Sequence, residues 1–326
     1  MARVLVTGAT GFIGSHLVEK LVSAGHEVRC LVRKTSNLQW LPRERVRLFT
    51  SGGFQPEDYR PALQAVAVVY HLAGATKARS LDEYQKHNVT LTRHLLEAVK
   101  RFAPSLQRLV MVSSQAAAGP AAPGETADES AVCRPVTYYG ESKLAAERLL
   151  SLYPGIPAVV LRPVSVYGPR DRDVLSIVKM IGRGFAPVIG SPDRRLTFVF
   201  VEDVVRAMLL VAEDARAVGR TYFVTDGRVY SWREMRAIME RVLRRRSLAV
   251  RVPAPFVWML AAGSETWSRL TGRATIFNFN KVHELLQVNW GCSGERLQRE
   301  LGFTPKYDLE QGLRLTVAWA RQAGWL

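Results

Sequence analysis

The chain has 326 residues, 48% of them hydrophobic, three cysteines and a formal net charge of +16. That apolar content can bury one large core or two coupled ones without cross-links. Cys30, Cys133 and Cys292 form no CxxC pair and stand beside no histidine group, which speaks against a disulfide framework or a metal site and for a reducing, cytoplasmic setting.

The surplus of arginine and lysine raises the question of nucleic acid. The cations come only in short groups, and Arg241 with Arg244, Arg245 and Arg246 closes a helical pattern, where positive charge suits the dipole and water. No nucleic-acid partner is expected, while a basic surface stays compatible with phosphate-bearing substrates such as nucleotide sugars or coenzyme A esters. The first residues, MARVLVTGATGFIG, pass straight into a strand and a glycine loop, so no export signal is expected. The apolar run Pro253 to Gly263 is shorter than the roughly 20 residues that span a bilayer. It reads as a core helix or a substrate lid, with peripheral membrane contact as the alternative.

In chain order, strand-like runs at Val4 to Val6, Val28 to Val32, Val66 to His71, Leu109 to Val112 and Ala158 to Leu161 alternate with helical patterns. The helices are expected at Gly11 to Ala24, Leu81 to Phe102 and Tyr138 to Leu150. That alternation predicts an α/β fold, a Rossmann-type doubly wound parallel sheet covered on both faces. From about Asp171 the pattern changes. Helices are expected at Leu175 to Ile181, Val204 to Ala212, Trp232 to Leu243 and Phe256 to Leu270, with an apolar run at Thr197 to Val201. The division is therefore 1–170, a dinucleotide-binding domain, and 171–326, a smaller substrate-binding portion with some chain returning to the sheet.

Between the first strand and helix lies Thr7-Gly8-Ala9-Thr10-Gly11-Phe12-Ile13-Gly14. In that context the first glycine permits a tight turn, the second lets backbone amides reach a pyrophosphate, and the third lets helix and strand pack closely. The second strand ends Cys30-Leu31-Val32-Arg33-Lys34, with cations where an NAD site carries an acid, so Arg33 points to the 2′-phosphate of NADP in preference to NAD. The helix opening Tyr138-Tyr139-Gly140-Glu141-Ser142-Lys143 places Tyr139 and Lys143 on one face. A neighbouring ammonium is expected to lower the phenol's pKa, so that Tyr139 exchanges a proton with a substrate oxygen during hydride transfer.

The GxxGxxG spacing together with this Tyr-x-x-x-Lys resembles the extended branch of the short-chain dehydrogenase/reductase family, the NAD-dependent epimerase/dehydratase family. The resemblance implies a catalytic hydroxyl 25 residues before the tyrosine, which is Ser114, preferred over Ser113 because successive residues at a strand end point to opposite sides. It also implies cofactor contacts from Leu72, Ala73 and Gly74, from Pro163 and Val166, and from Tyr139 and Lys143. Asn88 matches the helix asparagine that supports the active-site lysine, and Gln115, Ser165 and Arg195 fall where substrate is met. A homodimer through the tyrosine helix and its neighbour is implied as well.

The chain departs from the family pattern in four places. Ser165 stands where sugar epimerases carry asparagine, and Leu196 stands where they carry arginine, with Arg194 and Arg195 alongside. Gln115-Ala116 replaces the acidic pair of dehydratases, and no acid precedes Pro56 to meet adenine. Three readings follow: an NAD(P)-dependent reductase or alcohol dehydrogenase with an apolar pocket, a nucleotide-sugar epimerase with tightly held NAD, or a dinucleotide-sensing module without catalysis.

Overall fold

Short β-branched runs bury poorly as isolated strands and well as the middle of a parallel sheet covered by helices. The computed structural model describes residues 1–271 and 279–326, with the backbone alone at 266 and 268–270. Its first half contains β1 (Arg3–Thr7), α1 (Phe12–Ser23), β2 (Glu27–Val32), β3 (Val46–Thr50), α2 (Arg60–Leu63), β4 (Val68–His71), α3 (Leu81–Tyr84) and α4 (Leu91–Phe102). There follow β5 (Arg108–Val112), α5 (Tyr138–Arg148), β6 (Ala158–Pro163), β7 (Ser165–Tyr167), α6 (Asp173–Gly182), β8 (Phe185–Ile189), β9 (Arg195–Phe200) and α7 (Val201–Glu213). The chain ends with β10 (Thr221–Val224), β11 (Val229–Ser231), α8 (Trp232–Leu243), β12 (Leu248–Val252), α9 (Ala254–Thr271), α10 (Phe279–Leu286), α11 (Glu295–Leu301) and α12 (Leu309–Gln322).

The main sheet has seven strands in the order β10-β6-β5-β4-β1-β2-β3, and every neighbouring pair is parallel. Every residue of β5 and β6 is buried, as expected of central strands covered on both faces. Leu17, Val18 and Leu21 of α1 join Val204, Met208 and Val211 of α7 over one face. Leu95, Leu96 and Val99 of α4 cover the other with Leu5, Val69 and Leu109 beneath them. The strand order reverses between β1 and β4, so the loops after those two strands form the crevice where such sheets hold ligands.

A second core lies beyond the sheet. Val174 and Val178 of α6, Phe198 and Phe200 of β9, Met235 and Met239 of α8, and Leu313 and Val317 of α12 pack there around Tyr167 and Tyr230. The helix expected over Leu81 to Phe102 is split by a π-helical turn at Gln85–Thr90. Such turns gather at functional sites, and this one carries Asn88. The patterns did not mark β3 as a strand, because as a sheet edge it is half exposed and carries no apolar run.

One buried ion pair ties the sheet to the tyrosine helix. Arg162 of β6 grips Glu147 of α5 through two hydrogen bonds, Nε to Oε1 at 3.0 Å and Nη2 to Oε2 at 2.6 Å, with both side chains below 10% exposed. Replacing Arg162 by Met strands the carboxylate in the core. The expected cost is about 3–5 kcal/mol, read in urea unfolding as a lower midpoint at unchanged slope, and a change under 1 kcal/mol would refute the importance given to this pair.

Candidate active site

The glycine loop is shaped by contact with the β4 loop. Gly8 has φ of +73°, and a Cβ there would lie 2.6 Å from the carbonyl carbon of Leu72; a Cβ on Gly14 would lie 2.2 Å from the oxygen of Gly8. Both positions therefore exclude side chains for packing reasons alone. Gly11 is different: it is exposed, its Cβ would lie 3.2 Å from the Gly8 oxygen, and it caps α1. α1 starts with no side-chain cap and no acid in its first turn, which leaves the amides of Phe12, Ile13 and Gly14 and the positive end of the dipole for an anion. The cradle fits the pyrophosphate of a dinucleotide.

Behind this loop runs a directed chain of buried hydrogen bonds. Thr92 Oγ1 donates to the Asn88 carbonyl at 2.6 Å, so it accepts from His71 Nε2 at 2.9 Å. His71 Nδ1 then accepts from Thr7 Oγ1 at 2.7 Å, and Thr7 Oγ1 accepts from the Ala73 amide at 3.3 Å. Each hydroxyl has one proton, which fixes the imidazole as the neutral Nε2–H form. Burial, and behind it the charge of Lys143, push the His71 pKa down to about 3.

The chain continues into the catalytic helix. Asn88 Nδ2 donates to Ser142 Oγ at 2.8 Å and to the Ala75 carbonyl at 3.1 Å, while its Oδ1 accepts from the Ala75 amide at 2.7 Å. Ser142 Oγ donates to the Tyr139 carbonyl at 2.7 Å. The sequence pattern placed Asn88 under the lysine; it holds the first turn of α5 through Ser142.

α5 is capped by Thr137, whose Oγ1 accepts from the Gly140 amide at 3.0 Å, so Tyr139 and Lys143 leave a fixed first turn. Ser114 caps the short turn Gln115–Ala117 after β5, its Oγ accepting from the Ala116 amide at 3.1 Å, and its hydroxyl is near enough to the Tyr139 phenol to favour the phenolate. Ser113 Oγ is buried without a partner. Lys143 is 7% exposed and donates from Nζ to the Val112 carbonyl at 2.7 Å. Desolvation lowers its pKa from 10.5 to about 8.

The phenol behaves differently from the expectation. Burial raises the Tyr139 pKa to about 12, the Ser114 hydrogen bond pulls it back, and the nearby Tyr84 and Glu284 push it up. The Lys143 ammonium is aimed at the Val112 carbonyl and is not among the groups that move the phenol.

Other expected site residues are scattered. Leu72 and Ala73 are half-buried beside Gly8, Gly74 is exposed, and a Cβ on Gly74 would lie 2.9 Å from Asn88 Oδ1. Pro163 is buried at the end of β6, while Val166 and Ser165 lie on β7, half-buried and exposed respectively. Gln115 is buried and donates to the Trp290 carbonyl at 2.7 Å. Arg195 donates to the carbonyls of Gly124 at 3.0 Å and Glu125 at 3.3 Å, and Arg194 donates to that of Leu285 at 2.5 Å. Arg33 is exposed at the end of β2.

Sequence reasoning missed the α10 wall, where Asn280 Oδ1 accepts from the Tyr138 amide at 3.0 Å and Glu284 reaches the field of Tyr139. It also missed Thr92, Ser142 and His87. No spacing rule links Asn280, Glu284 or Thr92 to α5; only the fold does. Among the described residues no group of three or more His, Cys, Asp and Glu side chains is placed to hold a metal ion. No helix among the described residues is long and apolar enough to cross a membrane.

A parallel sheet with a glycine loop at its switch point and a Ser–Tyr–Lys group beside it defines a nicotinamide-dinucleotide enzyme. Residues 4–224 match the model of the NAD dependent epimerase/dehydratase family, and the chain belongs to that family. It is 30% identical over 325 residues to the ceramide reductase of Caulobacter vibrioides, spanning 99% of this chain and 96% of that one. It is also 30% identical over 334 residues to the 4-hydroxy-2-methyl-3-oxo-4-farnesyl-3,4-dihydroquinoline-1-oxide ketoreductase of Stigmatella aurantiaca, spanning 99% and 96%. Among solved structures it is similar to MoeE5 in complex with UDP-glucuronic acid and NAD, with TM-score 0.76 and 25% identity over 98% of this chain and 99% of that one. The family and these relatives make the chain an NAD(P)-dependent enzyme of the extended short-chain type, in a branch holding both reductases and epimerases.

Burying the Lys143 ammonium has a consequence for stability. Its pKa falls on folding, so between about 8 and 10.5 the unfolded chain binds more protons and stability rises with pH across that window. Below it the buried charge costs about 3 kcal/mol. Lys143→Met removes that cost and leaves the Val112 carbonyl unmet, for a net gain of about 1–3 kcal/mol at pH 7, together with loss of the alkaline rise. Urea unfolding at pH 7 and pH 10 reads both, and a variant less stable than the parent at pH 7 would overturn the account.

Proposed function

We propose that the chain is an NADP-preferring reductase that moves hydride between the nicotinamide and the carbinol or ketone carbon of an apolar substrate carrying no nucleotide. The observation that carries the choice over a sugar epimerase is the engagement of Arg194 and Arg195. Arg194 spends Nη1 on the Leu285 carbonyl and Arg195 spends Nη1 on those of Gly124 and Glu125, which ties both guanidinium groups to the protein's own loops and supports their reading as loop anchors. Two relatives at 30% identity carry the names of a ceramide reductase and a farnesylated-quinoline ketoreductase, in keeping with that choice.

The cofactor rests on Gly8 to Gly14, with Leu72, Ala73, Gly74, Pro163 and Val166 along its length, and supplies the hydride. Tyr139 hands its phenolic proton to the substrate oxygen. With a pKa of about 12 the phenol is protonated at neutral pH, the form that donates when a ketone is reduced. Ser114 orients the same oxygen. Lys143 keeps a positive charge beside the phenolate that forms.

Preference for NADP rests on the end of β2. Arg33 lies there with no acid at the strand end, and Lys86 and His87 of the π-helical turn stand close by. Burial, then Lys86, then Arg33, hold the His87 imidazole below its usual pKa, and Lys86 sits 5.1 Å over the Phe54 ring. Three basic groups around one strand end suit a phosphate dianion.

Calorimetric titration of cofactor-stripped protein tests this. NADPH is expected to bind at least tenfold tighter than NADH, with the preference lost in Arg33→Ala. Tightly retained NAD with no gain from the 2′-phosphate would move the epimerase reading ahead. Tyr139→Phe is expected to lower kcat by about 10²–10⁴ while cofactor affinity changes less than threefold; undiminished turnover would remove Tyr139 from the chemistry.

A further inference from the structure

The outward face of α9 is apolar where a surface helix is normally polar. Phe256, Met259, Leu260, Gly263 and Trp267 follow one another at i, i+3, i+4, i+7 and i+11 and form a single stripe. Phe256 is 47% exposed, Met259 61%, Leu260 46% and Trp267 63%. On the opposite side Val257 and Ala261 are buried against Val282 of α10, so the helix is anchored and the stripe faces solvent. The run read from sequence as a core helix or substrate lid thus turns Phe256, Met259 and Leu260 outward, while Val257 and Trp258 pack on the α10 side.

The patch extends onto the strand that leads into α9. Leu248 and Val250 of β12 are 67% and 40% exposed, and Phe185 of β8, 58% exposed, pairs with Leu248. Arg244, Arg245 and Arg246 lie just before β12, separated from it by Ser247, and all three are exposed. Among the described residues none of the three has a carboxylate partner, in contrast with Arg236 and Arg241 on the preceding helix, which pair with Glu240 and Glu310.

We infer that this face docks the protein on an anionic lipid bilayer, the stripe entering the interface and the arginines meeting the head groups. An apolar face with a tryptophan, flanked by unpaired cations, matches an interfacial surface in both respects. A second copy of the chain fits worse. A two-fold contact sets the same patch against itself, which brings Arg244 to Arg246 of each protomer toward their counterparts in a chain already at +16. α9 packs on α10, and Asn280 of α10 holds the Tyr138 amide, so the catalytic helix lies within about 20 Å of the docked face, two helix spacings. The surface stands whether the enzyme proves a reductase or an epimerase.

Flotation of the full-length protein with vesicles tests this. With 3:1 phosphatidylcholine:phosphatidylglycerol vesicles in 0.1 M NaCl, the protein is expected to float at least tenfold more than with phosphatidylcholine alone. Met259→Ser/Leu260→Ser/Trp267→Ser should reduce flotation at least tenfold. Arg244→Glu/Arg245→Glu/Arg246→Glu, which leaves the stripe intact, should do the same, and both variants should melt as the parent does. Three outcomes overturn the inference: no flotation with the anionic vesicles, flotation indifferent to the arginine reversal, or a dimer in light scattering that the serine variant dissociates without any vesicle binding.

Discussion

The relay from Thr7 through His71, Thr92, Asn88 and Ser142 to the Tyr139 carbonyl is the constraint on which the candidate site depends. It joins the strand before the glycine loop, the strand beyond the switch point, the π-helical turn and the first turn of α5. Each bond is worth only about 1 kcal/mol net, yet leaving one member unsatisfied costs about 1–3 kcal/mol. The set is therefore satisfied as a whole or is a liability. The neutral imidazole at its centre makes that satisfaction possible, since it accepts on one side and donates on the other.

The same burial that orders the relay sets the proton chemistry. A dry environment raises the Tyr139 phenol and lowers the Lys143 ammonium, both by disfavouring charge. Each group is brought nearer its neutral form. At neutral pH the cost in folding stability falls on the buried Lys143 ammonium.

Much of this was legible in the residues. The glycine spacing and the alternation of strands and helices marked the Rossmann layers, because packing around a parallel sheet demands those residues at those intervals. Tyr139 and Lys143 were legible because four residues separate them on one helix, and Ser114 because it ends the strand before that helix. The relay was not legible as a unit. His71 and Asn88 stood out singly, but Thr92 and Ser142 carry no pattern of their own, since a buried hydroxyl acquires meaning only from what faces it.

By itself the sequence determined the layered architecture and the dinucleotide loop, which follow from local periodicity and short spacings, and it marked Tyr139, Lys143 and, by family resemblance, Ser114 as candidates for proton transfer. The tertiary structure decided the rest. It engaged Arg194 and Arg195 on backbone carbonyls, brought Lys86 and His87 beside Arg33, and set Asn280 and Glu284 against the catalytic helix. It also turned Phe256, Met259, Leu260 and Trp267 of α9 outward. Those are contacts between segments 30 to 150 residues apart in the chain, and neither helical nor strand periodicity says which distant backbone a side chain will meet.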